Sequence, residues 1–402
     1  MFELNHFISE YVTKRPKSMF LSDIEKSRDK LNDKIDGKSI LVIGGAGSIG
    51  SSYIKAVLPF HPKSLVVVDI NENALAELTR DLRSTRGILV PEDYIPYPMD
   101  FASSVFEKML RSRGGFDIVA NFSAHKHVRS EKDIYSVEAL LQNNVLHAKQ
   151  LLDLLAEYPP EEYFCVSTDK AANPVNIMGA SKRIMEDIIF SYSDKFPVKT
   201  ARFANVAFSN GSLPAGFLAR ISKLQPLSAP SDVKRYFVSP EESGQICMLA
   251  CMLGANREIF FPKLEEAQMM TFDAIATALL KEYGYEVLQC ATDEEAIDKA
   301  LALGEGSKSY PVHYSSSNTS GEKSFEEFFT DQETVDMVRF SSLGVITGKG
   351  IPNADKIKSV LNELDMAFEK PDVTKDEIVE IIKAYLPNFE HIEKGRSLDS
   401  KM

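Results

Sequence analysis

The stretch that decides the fold is KSILVIGGAGSIG, residues 38–50. A short apolar run that ends in glycine predicts a buried parallel strand that turns directly into a helix. Gly44 permits the tight turn, Gly47 lets the backbone approach a pyrophosphate, and Gly50 lets the new helix pack against the sheet. The positive end of that helix then faces the anion. The predicted dinucleotide contacts in this stretch are Gly44, Gly47, Ser48, Ile49 and Gly50.

A second predicted strand, residues 64–69, ends in the acid Asp69. A carboxylate at this position, about 20 residues beyond the glycines, is placed to hold an adenosine ribose. It would accept a hydrogen bond from the ribose 2′-hydroxyl and would repel a 2′-phosphate, and no arginine follows it in residues 70–73. We therefore expect NAD rather than NADP, with Asn71 as a neighbouring contact. The alternative is an ordinary strand-turn-helix that holds no ligand.

The composition indicates a soluble globular protein, since 44% of the 402 residues are hydrophobic and 26% are charged. A formal net charge of −12 opposes nonspecific binding to nucleic acids or to an anionic bilayer. No segment approaches the ~18 to 20 apolar residues of a membrane span, and residues 1–21 lack a signal-peptide core. We expect a cytoplasmic protein with no nucleic-acid partner and no membrane span, whose cysteines are reduced packing residues.

From residue 38 onward, strand patterns alternate with helical patterns. This alternation predicts an α/β fold, a Rossmann-type doubly wound parallel sheet with a smaller α/β substrate-binding lobe. Strands are predicted at residues 39–43, 64–69, a segment ending at 100, 116–121, 163–167 and 198–203. Ligands of such sheets bind beyond the carboxyl ends of the strands, so the residues at those ends should share one crevice. These residues are Gly44, Asp69, Asp100, Asn121 and Ser167.

Four segments are predicted along the chain. They are an N-terminal helical arm (1–36), an NAD-binding domain (37–204), a substrate-binding lobe with some return to the Rossmann core (205–345) and a C-terminal helical extension (346–402). The arm either packs on its own domain or contacts a second copy, and the sequence leaves both possibilities open. In the extension, the residues TKDE at 374–377 predict a capping box that begins the last helix.

A second informative stretch is VSTDKAANPVNIMGASK, residues 166–182, which runs from a strand end into a helix. It brings together a hydroxyl, an acid and an amine, which belong to Thr168, Asp169 and Lys170. Met178 and Lys182 are four residues apart, so they share the helix face that should look at the crevice. For the adjacent acid and amine, the alternative is a surface ion pair of little energetic value.

These stretches resemble the extended short-chain dehydrogenase/reductases. More narrowly, the chain is similar over about residues 36–330 to the UDP-N-acetylglucosamine 4,6-dehydratases of bacterial polysaccharide and glycan pathways. The segments that carry the narrower resemblance are FSAHKHV at 122–128, TDKAANP at 168–174, GS at 211–212, IFFPK at 259–263 and SGEK at 320–323. The resemblance implies a lyase with catalytic NAD that converts a UDP-sugar into its 4-keto-6-deoxy derivative.

In the mechanism that the resemblance implies, NAD takes a hydride from sugar carbon 4, water is eliminated across carbons 5 and 6, and the hydride returns to carbon 6. Lys170 is then the base for the carbon-5 proton, and Asp169 is the acid for the departing hydroxyl. An acidic group beside an amine can couple in titration, so which of the two carries the proton first stays open. Thr168 would form a hydrogen bond with the oxygen on carbon 4. Lys182 would hold the nicotinamide ribose, and its positive charge would stabilise the oxyanion.

The resemblance also implies further ligand contacts. The additional cofactor contacts are Asp100, Phe101, Ser123, Ala124 and Asn144, and the alternative for Asn144 is a solvent-facing amide. Substrate contacts are expected from Lys126, Asn205 and Arg235, of which the last two suit the diphosphate unless they are salt-bridged surface groups. The residues HKH at 125–127 lack a third metal ligand, and a lysine between the histidines would repel a cation, so no metal is expected.

Two positions depart from the family pattern. Met178 lies where the broader superfamily has a catalytic tyrosine, and a thioether does not accept a proton usefully. This chain resembles a methionine-containing subgroup of active dehydratases, in which Asp169 or a bound water would accept the carbon-4 hydroxyl proton instead. The residues TSGEK at 319–323 replace the usual Arg-Pro-Gly-Glu-Lys, so a phosphate-contacting arginine is missing there.

Two other functions fit part of this pattern. A nucleotide-sugar 4-epimerase uses the same hydride step but needs no acid–base pair for elimination, and a catalytically silent NAD-binding protein is favoured only by Met178. The resemblance also implies a homo-oligomer that pairs through helices at about 132–157 and 178–194. Their apolar stripes include Val137, Leu140, Leu141, Val145, Ile184 and Ile188.

Overall fold

The computed structural model describes residues 2–127, 131–304, 306–317 and 326–392. Its strands are β1 (Ser39–Ile43), β2 (Ser64–Asp69), β3 (Asp93–Pro98), β4 (Ile118–Asn121), β5 (Glu162–Val166), β6 (Val198–Ala201), β7 (Asn205–Val206), β8 (Leu227–Pro230), β9 (Lys234–Arg235), β10 (Phe237–Val238), β11 (Glu258–Pro262), β12 (Met270–Thr271), β13 (Glu286–Cys290), β14 (Ser309–Ser315), β15 (Thr334–Asp336) and β16 (Leu343–Thr347). 

Its helices are α1 (Leu4–Phe7), α2 (Leu21–Lys26), α3 (Arg28–Ile35), α4 (Ser48–Val57), α5 (Glu72–Ser84), α6 (Ser104–Arg113), α7 (Ile134–Leu141), α8 (His147–Glu157), α9 (Ile177–Ser191), α10 (Leu213–Ile221), α11 (Pro240–Leu253), α12 (Phe272–Glu282), α13 (Asp293–Ala300), α14 (Ala354–Phe368) and α15 (Lys375–Tyr385). Among the described residues, no helix has both the length and the apolar character that crossing a membrane requires.

The predicted doubly wound sheet is confirmed. Within the described part of the chain, the large sheet has the strand order β3-β2-β1-β4-β5-β6-β11-β16-β15. The strands from β3 to β11 are parallel, and β16 and β15 add an antiparallel edge. Because the chain leaves β1 first towards β2 and later crosses back to β4, the strand order reverses between β1 and β4. A ligand crevice is expected at that point.

Helices cover both faces of this sheet, which is why its strands are continuously apolar. In β2, Val66 and Val68 point into one core, with helices α6 to α9, α14 and α15. Leu65 and Val67 point into the other, with helices α2 to α5 and α11. The two cores together fix the carboxyl ends of the strands, where the predicted site residues lie.

The smaller lobe has its own core. A parallel sheet of β13, β14 and β8 packs with α10 and α12. The predicted segment 205–345 contributes both to this lobe and, through β11, β15 and β16, to the large sheet. The amino-terminal residues Phe7, Ile8 and Val12 also belong to this core.

The N-terminal arm packs on its own chain. Arg15 is held by two hydrogen bonds to the buried carboxylate of Glu242, at 2.7 and 2.6 Å. Further along, Phe20, Leu31 and Ile35 are buried in the core on the α4 side of the large sheet. Of the two possibilities that the sequence leaves open for the arm, the structure therefore provides the intramolecular contact.

The C-terminal extension packs against α9. The predicted capping box at Thr374 and Glu377 is present at the start of α15, and the Tyr385 hydroxyl donates to Asp187 on α9 at 3.2 Å. The apolar stripes on which the oligomer prediction rests are buried within this one chain, in the same core as α14 and α15. The homo-oligomer therefore stays a prediction that needs a surface other than these stripes.

Candidate active site

One cleft, with a volume of about 1120 Å³, lies at the carboxyl ends of the parallel strands and extends onto the smaller lobe. Single-ligand sites usually measure about 300–1,000 Å³, so this cleft has room for a cofactor and a second ligand together. The predicted site residues that line it are Gly44, Gly47, Ser48, Ile49, Gly50, Asp69, Ser123, Ala124, Lys126, Thr168, Asp169, Lys170, Met178, Lys182, Asn205 and Arg235. The structure thus brings together residues that are separated by up to about 190 positions in the sequence.

The glycine turn is built for close backbone approach. Gly44 has a φ of +70°, and a Cβ placed there would lie 2.6 Å from the backbone nitrogen of Ser123. A Cβ on Gly50 would lie 2.4 Å from the carbonyl oxygen of Gly44. Among the residues that the structure describes, no side chain caps α4, whose first amides follow Gly47. The turn is therefore a cradle of backbone groups at a helix N-terminus, which is the form that a pyrophosphate site takes.

Asp69 lies beside this cradle, at the end of β2. Its carboxylate accepts hydrogen bonds from the backbone nitrogens of Ala46, at 3.1 Å, and Asn71, at 3.0 Å. These bonds fix the carboxylate at the edge of the glycine turn while it remains partly exposed in the cleft. A carboxylate acceptor beside a cradle of backbone N–H groups fits the adenosine half of a dinucleotide.

Helix α9 presents Met178 and Lys182 to the cleft from a firmly capped start. The carboxylate of Glu131 accepts from the backbone nitrogens of Ile177 and Met178, at 3.1 and 2.9 Å. Lys182 is buried and donates to the carbonyl oxygen of Val166 at 2.9 Å. Burial lowers the pKa of the Lys182 ammonium, because its charged form is removed from water. The start of α9 and the Lys182 side chain are therefore held in place by contacts within the protein.

The acid–amine pair lies in the short helical turn after β5. Lys170 Nζ is 3.2 Å from Asp169 Oδ1, and the Asp169 residue is only 4% exposed, so the pair is not a surface ion pair. The Thr168 hydroxyl donates to the same Asp169 oxygen at 2.7 Å. Burial by itself lowers the pKa of Lys170, but the carboxylates of Asp169 and Glu326 outweigh it and raise this pKa. At neutral pH, Lys170 is therefore an ammonium.

Glu326 is a cleft residue that was not predicted from the sequence. Its carboxylate accepts from Asn205 Nδ2 at 2.7 Å and from the backbone nitrogen of Tyr236 at 2.9 Å, and it lies 3.7 Å from Arg235 Nε. Burial, with a smaller effect of Asp169, raises its pKa to about 7. The only local signal is the acidic pair Glu326-Glu327 shortly after the SGEK segment.

Four of the predicted cofactor contacts do not line the cleft. Asn71 caps α5 by accepting from the backbone nitrogen of Ala74, Asp100 accepts from that of Ala102, and Phe101 packs into the core. Asn144 is buried and joins both backbone groups of His125 to the hydroxyl of Ser181. This position makes Asn144 a support for the loop at 122–127 rather than a solvent-facing amide.

Two further predictions concern what the site lacks. Among the described residues, no group of three or more His, Cys, Asp or Glu side chains is arranged to hold a metal ion. The segment at 319–323, where the family arginine is replaced, lies outside the described residues.

The chain is similar to known proteins over most of its length. It is 28% identical over 355 residues to "Uncharacterized membrane protein MJ1061" of Methanocaldococcus jannaschii, which covers 86% of this chain and 95% of that protein. Capsular polysaccharide biosynthesis protein CapD of Staphylococcus aureus is 29% identical over 59% of this chain, which spans only 40% of CapD. An inverting UDP-N-acetylglucosamine 4,6-dehydratase of Campylobacter jejuni is 24% identical over 75% of this chain and 85% of that enzyme.

Solved structures share the fold. Pen from Bacillus thuringiensis has a TM-score of 0.63 at 18% identity, over 83% of this chain and 99% of its own. DesIV, a dTDP-glucose 4,6-dehydratase from Streptomyces venezuelae with NAD and TYD bound, has a TM-score of 0.54 at 18% identity. The match covers 72% of this chain and 88% of DesIV. UDP-glucose 4-epimerase from Thermotoga maritima with UDP-glucose has a TM-score of 0.55 at 16% identity. The match covers 73% of this chain and 90% of the epimerase.

A family model described as "Polysaccharide biosynthesis protein" matches residues 40–347. This range begins in β1, contains the whole glycine turn and the Thr168-Asp169-Lys170 turn, and ends with β16. Since the match covers well over half of the 402 residues, the chain belongs to the polysaccharide biosynthesis protein family.

Proposed function

We propose that the chain is an NAD-dependent 4,6-dehydratase. Its substrate is a UDP-N-acetylhexosamine, most simply UDP-N-acetylglucosamine, and its product is the 4-keto-6-deoxy sugar used in polysaccharide or glycan precursor synthesis. The observation that carries the proposal is the Asp169–Lys170 pair in the cleft, whose carboxylate is buried. Elimination of water needs an acid and a base that act on neighbouring carbons, and this pair supplies both.

Two rival functions make less use of the site. A 4-epimerase transfers the same hydride but leaves the sugar hydroxyls in place, so a buried acid–base pair beside the cofactor would have no task. A silent NAD-binding protein is favoured only by Met178, whose thioether is a poor proton acceptor. The similarity to a Campylobacter dehydratase supports elimination, although epimerases share the fold.

Bound NAD would supply the oxidation at sugar carbon 4 and the matching reduction at carbon 6. The proton movements belong to the chain's own residues. The Thr168 hydroxyl donates a hydrogen bond to Asp169 Oδ1 at 2.7 Å. A proton that leaves the carbon-4 hydroxyl therefore has a path through Thr168 to Asp169. Asp169 then delivers this proton to the departing carbon-6 hydroxyl, while Lys170, in its neutral amine form, takes the proton from carbon 5 and returns it there after the elimination. In this scheme Met178 needs no chemical role. Thr168 and Asp169 accept the proton that the catalytic tyrosine of the broader superfamily would accept at the Met178 position.

The residues that would hold the cofactor are the glycine cradle, Asp69, Ser123, Ala124 and Lys182. We expect the cofactor released on denaturation to be NAD. Asp69→Ala should reduce the preference for NAD over NADP by about 10²-fold, because a like charge facing the 2′-phosphate costs several kcal/mol. Binding of each cofactor, measured by titration, checks this. Glu72→Gln, which removes an exposed acid three positions further on, is the control. Recovery of mainly NADP from the wild type would contradict the assignment.

The decisive experiment follows the mass of the sugar. Purified protein with UDP-N-acetylglucosamine should give a nucleotide sugar lighter by one water. An epimerase would give a product of unchanged mass, and a silent protein would give none. Either of these two results, with cofactor bound, would overturn the proposed function.

A further inference from the structure

The C-terminal extension reaches the wall of the cleft from outside the region that the family model matches. That match ends at residue 347, and α14 and α15 follow it. Residues 386–392, which we call the closing segment, then run back towards the cleft. Phe389 is buried in the same core as α9, and the Ile392 backbone nitrogen donates to the carbonyl oxygen of Val175 at 3.1 Å. Val175 lines the cleft, so the extension is in direct contact with the site.

Glu131 joins this extension to the first turn of α9. The Glu131 residue is only 8% exposed, and its two carboxylate oxygens accept from the backbone nitrogens of Met178 at 2.9 Å and Ile177 at 3.1 Å. From the extension, Lys375 Nζ donates to the carbonyl oxygen of Glu131 at 2.8 Å, and His391 Nε2 lies 3.7 Å from Glu131 Oε2. A carboxylate at a helix N-terminus is also stabilised by the helix dipole. Glu131 is therefore fixed on one side by the extension and on the other by α9.

The first turn of α9 contacts the turn that carries the acid–amine pair. A Cβ placed on Gly179 would lie 2.7 Å from the carbonyl oxygen of Lys170, so the two backbones touch with no space for a side chain. The Gly179 backbone nitrogen also donates to the capping side chain of Asn176 at 2.7 Å. A shift in the start of α9 would therefore move Lys170 relative to Asp169, whose carboxylate lies 3.2 Å from Lys170 Nζ.

We propose that Glu131, held by the C-terminal extension, positions the Asp169–Lys170 pair. This inference rests on the proposed function, in which that pair is the acid and the base of the elimination. The contacts run from the extension to Glu131, from Glu131 to the first amides of α9, and from Gly179 to the Lys170 backbone. Glu131 does not line the cleft, so it is a positioning residue that acts through α9.

Glu131→Gln tests this role in the full-length protein with NAD bound. Glutamine keeps the size of the side chain but replaces one acceptor oxygen by a donor, so one of the two α9 amides loses its partner. Misplacing catalytic groups by about 1 Å can cost about 10²-fold, so kcat for water loss should fall about 10- to 10²-fold. KM and the content of bound NAD should change little, because the residues that would hold both ligands are untouched.

His391→Ala tests the part of the extension and leaves the buried Phe389 in place. It should lower kcat by about 5-fold, in the lower part of the range for residues in direct contact, because Lys375 still holds the Glu131 backbone. Glu390→Ala removes the exposed neighbouring side chain of the same segment and is the matched control, which should behave like wild type.

The double variant Glu131→Gln/His391→Ala separates a shared role from two independent ones. If His391 acts through Glu131, the double variant should keep the kcat of Glu131→Gln within about twofold. Losses that multiply would show that the two residues act independently, and would overturn the part of the extension.

Hydrogen exchange at the start of α9 gives a readout that does not depend on the reaction. The amides of Ile177 and Met178 should exchange faster in Glu131→Gln and in His391→Ala than in wild type and Glu390→Ala. Unchanged exchange or an unchanged kcat in Glu131→Gln would overturn the role of Glu131. A wild-type protein that releases no water would overturn the proposed function instead, whereas faster exchange in the variants would still show that Glu131 holds α9.

Discussion

Lys170→Ala should lower the rate of water loss by about 10²- to 10⁴-fold while the cofactor stays bound. The variant lacks the base for the carbon-5 proton, whereas the glycine turn and Asp69, which would hold the dinucleotide, are unchanged. Asp169→Asn should have an effect of similar size, because an amide can neither receive a proton from Thr168 nor release one to the leaving hydroxyl. Turnover by mass spectrometry, together with bound-cofactor content, measures both effects.

Met178→Leu is the matched control for these variants. Met178 is 2% exposed and lines the same cleft, and leucine preserves its volume and apolar character. Turnover should therefore change little. Lys182→Ala should behave differently again, losing cofactor retention and turnover together, because Lys182 lies on the α9 face beside the predicted nicotinamide position. If Met178→Leu were as inactive as Lys170→Ala, the thioether would have a chemical role; a fully active Lys170→Ala would refute the elimination mechanism.

Glu186→Leu should lower the free energy of unfolding by about 3–5 kcal/mol. Glu186 and Arg202 form a bidentate pair, at 2.6 and 2.8 Å, in which both side chains are completely buried. Removing the carboxylate leaves the guanidinium with Glu333 as its remaining carboxylate partner, so the loss should lie near the lower end of the range. The Ser167 hydroxyl also loses its acceptor. Chemical denaturation of the wild type and the variant gives the difference.

Glu77→Ala serves as the comparison, because its ion pair with Arg80 is about three-quarters exposed on both sides. The expected loss is below about 1 kcal/mol. Equal losses in the two variants would show that burial does not decide the strength of these pairs. The buried network should also depend on pH. Arg202 and Lys349 lower the pKa of Glu333 to about 2 from its usual 4.5, so its contribution is complete above about 4.5 and is lost as the pH falls towards 2.

Most of the large sheet could be predicted from local patterns. An apolar run ending in Gly44 forces a strand-turn-helix, because only glycine accepts the positive φ there without strain and because Gly50 leaves space for the turn. The strand patterns at 39–43 and 64–69 match β1 and β2 residue for residue. The predicted strand at 116–121 begins two residues later in the structure, and the one at 198–203 ends two residues earlier. Phe116 and Phe203 are apolar but lie outside β4 and β6, so apolar character does not mark strand ends.

The sequence by itself determined the Rossmann-type sheet, the glycine turn with Asp69, and the placement of Thr168, Asp169 and Lys170 at a strand end. Each of these depends on residues that are close together in the chain, where backbone sterics and side-chain periodicity dominate. Only the tertiary structure decided that the N-terminal arm and the C-terminal helices pack on this same chain, and that Glu326 lines the same cleft as Lys170, more than 150 residues away in the sequence. Such contacts join segments that are far apart in the chain. They form only when the two cores bring these segments together, so no local pattern in the sequence predicts them.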